Sequence, residues 1–111
     1  MPNEIVIWDA VKNTGSFLNS VANFSSSVGS VISNYKKNRQ LSKSDVRKIE
    51  ILAKAEIEAM QRTADALRIA HQMDLIDKAI QKAYSASTSK AQNYCMEYVD
   101  QLHQKFMRDF L

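Results

Sequence analysis

Residues 13–35, NTGSFLNSVANFSSSVGSVISNY, form a run of 23 residues between Lys12 and Lys36 that contains no charged side chain. Its bulky apolar residues recur every three or four positions, which is the spacing of one face of an α-helix. We call this face the 17–35 seam; its residues are Phe17, Val21, Phe24, Val28, Val31 and Tyr35. Almost all other positions are Ser or Asn, where an exposed helix would normally carry Glu, Lys or Arg. The run predicts an amphipathic helix whose seam is covered by another helix or by a membrane surface.

Composition predicts an all-α protein. The 111 residues include two Gly and one Pro, so the residues that form tight turns between β-strands are scarce. Three main helices are expected, at about residues 16–37, 45–84 and 89–110. We divide a single helical domain, residues 1–111, into an N-terminal segment (1–13), an uncharged amphipathic helix (14–37), a basic connection (38–44) and an antiparallel helical hairpin (45–111).

The long central helix has apolar residues on two faces. One stripe begins at Val46, Ile49 and Ala53 and continues through Leu67 to Leu75. A second stripe lies roughly 160–200° away on a helical wheel; it contains Ile69, Met73, Ile76 and Ile80. A hairpin alone would leave one of these faces in water. Three arrangements remain open: a compact three-helix bundle, a homo-oligomer that shares the second face, and a helix broken near residues 66–68.

The net charge of +3 arises from one local cluster. Residues 36–48 carry a net charge of +5, whereas the segments on either side are close to neutral. The candidate contacts to an anionic partner are Lys36, Lys37, Arg39 and Lys43. Nucleic-acid binders usually show a basic stripe or interleaved aromatic residues, so this localised cluster argues against a nucleic-acid partner.

No pattern in the sequence indicates catalysis or a cofactor. His71-x-x-Asp74 and Asp100-x-x-His103 are the residue types that bind zinc or iron, but helical periodicity points the two histidines in different directions. Cys95 lies on an apolar helix face, which suits a buried thiol rather than a reactive thiolate. We therefore predict a protein without a catalytic site, metal or cofactor.

These features predict a non-enzymatic interaction or assembly module that binds itself or another protein. The alternative is peripheral membrane binding, because the Ser/Asn-rich helix resembles the lipid-packing-sensor type of interfacial helix and is followed by basic residues. A small basic nucleic-acid binder is a second alternative. One cysteine, no basic leader and no apolar run of about 20 residues predict a cytoplasmic location, with peripheral membrane attachment under the first alternative.

Overall fold

The computed structural model describes residues 15–60 and 64–111 and places them in four α-helices. These are α1 (Gly15–Asn38), α2 (Lys43–Met60), α3 (Ala64–Tyr84) and α4 (Ser89–Phe110). The described residues contain no β-strand. The all-α prediction is therefore confirmed, whereas the predicted count of three main helices is wrong. The expected N-terminal segment, residues 1–13, lies outside the described residues.

The predicted central helix, residues 45–84, is divided into α2 and α3, which pack against each other. Lys43 at the start of α2 and Tyr84 at the end of α3 line the same groove, so the two helices are antiparallel. In one straight helix, the two apolar stripes would point to opposite sides. Because the chain reverses between α2 and α3, the α2 part of the first stripe and the second stripe share one core, where Ile49 and Ile69 are fully buried. Leu67, which continues the first stripe into α3, is 54% exposed.

The helices form an antiparallel bundle in which each packs on two neighbours. α1 contacts α2 and α4, and α3 contacts the same two helices. α1 and α4 run in opposite directions: Phe24 packs on Phe106, and nearer the other end the Tyr35 hydroxyl donates a hydrogen bond to Asn93. This is the up-down-up-down arrangement that short connections favour.

Apolar side chains from all four helices fill the core. The rings of Phe24 and Phe106 meet edge to face with centroids 5.7 Å apart, a geometry favoured by the charge distribution of aromatic rings. α1 consists largely of poor helix formers, at a cost of roughly 0.5 kcal/mol per residue relative to Ala. Burial of its apolar face against α2 and α4 therefore stabilises it as a helix.

The two described connections are short and capped. α1 is followed by Arg39, whose φ of 57° is left-handed and whose N–H donates a hydrogen bond to the Tyr35 carbonyl. Leu41 is buried and anchors the link to α2. Ser42 caps α2, accepting from the Asp45 N–H at 3.3 Å, and Thr88 caps α4, accepting from the Ala91 N–H at 3.1 Å.

Candidate interaction surface

The structure buries the 17–35 seam within the chain itself. Val21, Phe24, Val28, Val31 and Tyr35 are each at most 4% exposed. The side chain of Phe17 lies outside the part of the structure that is described. The sequence left open whether a helix or a membrane covers the seam. In this fold, other helices of the same molecule cover it. Direct contact of the seam with a partner would require α1 to leave the bundle, and it stays a prediction.

The second apolar stripe is also covered inside the molecule. Ile69, Met73, Ile76 and Ile80 are fully buried in the core. The expectation of self-association rested on a surplus apolar face at these residues, and the reversal between α2 and α3 removes that surplus. Any self-association must therefore use a different surface.

From Asn19 to Ser33 the outward side of α1 is exposed and carries no charge, and Lys37 lies one turn further along the same side. We call it the uncharged face; its exposed residues are Asn19, Ala22, Asn23, Ser26, Ser30 and Ser33. An exposed helix face in water usually carries charged residues, which favour solvation and form ion pairs along the helix. The charge-free run in the sequence thus gives α1 an exposed surface without charge, the uncharged face.

A groove of about 710 Å³ runs between the uncharged face and α2. On the α1 side it is lined by Asn23, Ser26 and Ser27, and on the α2 side by Ile51, Leu52 and Ala55 together with Ser44, Arg47 and Lys48. Ile51 is 60% exposed. The groove combines small polar residues, an exposed aliphatic side chain and a basic rim at one end.

The predicted contacts to an anionic partner lie together where α1 meets α2. Lys36, Lys37, Arg39 and Lys43 are all exposed. Lys36 forms an ion pair with Asp100 of α4 at 3.2 Å, which joins the end of α1 to α4. Because both partners are partly solvated, this pair contributes little to stability, on the order of 0–1 kcal/mol.

Two buried polar residues are features that the sequence patterns missed. His103 of α4 places Nε2 2.9 Å from the Ser25 carbonyl and 3.0 Å from its hydroxyl. A carbonyl only accepts, so Nε2 carries the proton and donates to Ser25. Asp77 of α3 is 1% exposed and accepts a hydrogen bond from Gln81 at 3.0 Å; burial raises its pKa above the usual value.

The two histidines lie in different surroundings. His71 is exposed and lines a groove with Lys105 and Asp109, whereas His103 is buried against α1. Among the residues in ranges 15–60 and 64–111, no three His, Cys, Asp or Glu side chains are grouped so that they could hold a metal ion. The arrangement of the described residues thus offers contact surfaces and buried polar links between helices.

None of the described helices is long and apolar enough to cross a bilayer. Comparison of the chain with protein-family models, with curated proteins and with solved structures gives no match. The functional argument therefore rests on the surface of the molecule itself.

Proposed function

We propose that this protein is a non-enzymatic assembly module that binds a second copy of itself through the uncharged face of α1 and the adjoining groove. The observation that supports this proposal is an exposed helix face that carries no charge from Asn19 to Ser33, next to an exposed Ile51. A cytoplasmic location fits it, because the single Cys95 gives the chain no internal disulfide that would require an oxidising compartment.

Removing the uncharged face from water costs less free energy than removing a charged face. Burying an unpaired charge in an interface costs several kcal/mol, and the centres of protein interfaces are accordingly depleted of charged residues. Ala22, Ser26 and Ser30 are small, so a second helix can approach α1 closely. The hydroxyl groups of Ser26 and Ser30 can form hydrogen bonds across the contact, and Ile51 supplies apolar area beside them.

A second copy suits this surface for a reason of symmetry. In a two-fold contact, the same patch meets itself, so a charged patch would meet a like charge. The uncharged face avoids that repulsion. The exposed side of α2 runs from Arg47 through Ile51 to Glu58, and an antiparallel contact places the basic start of one α2 opposite the acidic end of the other.

The size of the surface indicates a weak dimer. Helices of 24 and 18 residues are about 36 and 27 Å long, and a helix pair is about 20 Å wide. The face shared by α1 and α2 therefore offers about 600 Å² per copy, which is the lower end of the range for specific interfaces, whose standard size is about 800 Å² per partner. We expect an equilibrium between monomer and dimer rather than an obligate oligomer.

Light scattering across a wide concentration range tests the proposal. The mass of the chain should rise from 12.6 kDa towards twice that value as concentration increases. Ser26→Glu should keep the protein monomeric, because it places two like charges opposite each other. Gln104→Glu on α4 is the matched control, since it adds the same charge at another exposed position and should dimerise normally. A monomer at every concentration, or equal behaviour of both variants, would refute the proposal.

The membrane alternative in its amphipathic-helix form needs the 17–35 seam at the lipid surface. Because α4 and α2 cover that seam, this route would first require α1 to separate from them. Self-association through the uncharged face requires no such opening, so it is the function that the geometry supports better.

A further inference from the structure

The fold collects basic residues at one end of the bundle. The end of α1 lies beside the start of α4, where Tyr35 contacts Asn93, and the start of α2 lies beside the end of α3, where Lys43 and Tyr84 share a groove. Both described connections, residues 39–42 and 85–88, lie at this end. We call it the basic end and define it as residues 36–48 and 78–96.

The charge separation between this end and the rest of the molecule is large. Residues 36–48 carry a net charge of +5, and residues 78–96 add Lys78, Lys82 and Lys90 without any acidic residue. Because the whole chain has a net charge of only +3, the remaining residues carry −5. The sequence alone identified only the first of these two segments.

Most of the positive charge at the basic end is available for a partner. Lys36 pairs with Asp100, and Lys78 lies 3.9 Å from Asp74. Within the described ranges, no carboxylate lies within ion-pair distance of the remaining basic residues there. These exposed residues are Lys37, Arg39, Lys43, Arg47, Lys48, Lys82 and Lys90.

We propose that the basic end docks end-on against the surface of an anionic lipid bilayer. The proposal goes beyond self-association and does not depend on it, because the uncharged face lies along the side of the bundle. Of the unpaired basic residues, only Arg47 and Lys48 also line the groove beside that face. It also leaves the 17–35 seam in the core, unlike insertion of α1 as an amphipathic helix. The charged headgroups are the ligand, and the protein remains outside the hydrocarbon layer.

The shape of the molecule favours a bilayer over nucleic acid. The bundle measures 46 × 24 × 19 Å, and the basic residues lie at an end of the long axis, so many of them can meet a flat surface together. A duplex is instead bound by an element that enters a groove or by a basic stripe along the protein. Tyr84 and Tyr94 are 42% and 76% exposed near this end, and tyrosine is enriched at membrane interfaces.

Vesicle flotation with the full chain tests this proposal. Vesicles of phosphatidylcholine with phosphatidylserine should bind the protein at about 0.1 M salt, where charges act over roughly 10 Å. Vesicles of phosphatidylcholine alone should not bind it. Each basic residue near an anionic surface changes the partition coefficient about fivefold, so Lys82→Gln with Lys90→Gln should lower it about 25-fold. Both side chains are exposed and unpaired among the described residues, so thermal unfolding should not change.

The matched control is Lys54→Gln with Lys105→Gln, which removes the same net charge from other exposed positions. This pair should leave vesicle binding within about twofold of the original protein. Equal losses in the two double variants, or equal binding to both kinds of vesicle, would overturn the proposal. Binding to duplex DNA without binding to anionic vesicles would overturn it in favour of a nucleic-acid partner. A change in the scattering mass of Ser26→Glu has no bearing on these outcomes, so this proposal and self-association can fail separately.

Discussion

His103 joins α1 to α4 through a buried hydrogen bond that fixes how the two helices align. The imidazole occupies the space left by two small residues, Ser25 and Gly29, on the side of α1 that faces α4. Burial lowers the pKa of His103 below its usual value of 6.5, although the Ser25 carbonyl and the Asp100 carboxylate oppose this shift. The folded protein therefore favours the neutral ring.

Because the folded protein favours neutral His103, we expect it to lose stability in mild acid. The contribution of neutral His103 is fully present above the unfolded-state pKa of about 6.5 and is lost as the pH falls towards the lower pKa of the folded state. The free energy of unfolding in urea should therefore decrease between pH 7 and pH 5. His103→Gln keeps a donor for Ser25 without the titration, and its stability should depend less on pH. Asp77, whose pKa is raised, is present in both proteins, so its contribution to the pH dependence cancels when the two profiles are subtracted. Parallel pH profiles would contradict this role.

Gly29 offers a second test at the same contact. A Cβ added there would lie 3.4 Å from Cε1 of His103, an ordinary van der Waals distance. Ala is favoured over Gly inside a helix by about 0.8–1 kcal/mol, so Gly29→Ala should raise the free energy of unfolding by roughly 0.5–1 kcal/mol. Gly29→Leu should lower it, because the larger side chain must displace the imidazole. Thermal or urea unfolding checks both changes, and a destabilised Gly29→Ala protein would contradict the packing described here.

These residue-level details were only partly readable from the sequence. Periodicity pointed His71 and His103 in different directions, but nothing indicated that His103 would meet Ser25. That pairing joins residues 78 positions apart, and it depends on which side of α1 faces α4. Local spacing carries no information about such contacts.

At the scale of helices, the residue that follows α1 adopts a backbone conformation that is slightly unfavourable. Arg39 adopts a φ of 57°, which costs a residue with a side chain roughly 1–2 kcal/mol and which glycine tolerates. Arg39→Gly should therefore raise the free energy of unfolding by roughly 0.5–1 kcal/mol, after the greater freedom of glycine in the unfolded chain is included. Arg39→Ala is the control, since it removes the charge and keeps the unfavourable conformation. If both variants unfold alike, the left-handed end of α1 is not a source of strain.

The division of the central segment shows why helix boundaries were harder to predict than helix content. The helical spacing in the charge-free run and the scarcity of Gly and Pro were sufficient for the all-α class. Residues 61–63 contain neither Gly nor Pro, so no breaker marked the reversal between α2 and α3. The one signal was the change of apolar face between Ala53 and Ile69, which was equally compatible with a straight helix in an oligomer. Only tertiary packing distinguishes these cases.

For the molecule as a whole, the bundle depends on keeping α1 in place. Phe24 is fully buried against Phe106, so Phe24→Asp would place an unpaired charge in the core. We expect the free energy of unfolding to fall by roughly 3 kcal/mol or more. Ser33→Asp adds the same charge on the exposed side of α1 and should change stability by less than about 0.5 kcal/mol. Thermal melting at low concentration compares the two variants; similar melting temperatures would contradict the burial of the seam.

The central claim is that α1 turns its seam inward and presents its uncharged face to a second copy. Cysteine cross-linking at Ser26 in a Cys95→Ser background tests it most directly, with Gln104→Cys in the same background as the control. Treatment with a short bismaleimide should convert the Ser26→Cys protein to a covalent dimer, with a yield that rises with concentration, and leave the Gln104→Cys protein monomeric. Absence of a dimer from the Ser26→Cys protein, or equal dimer yields from both, would contradict the claim.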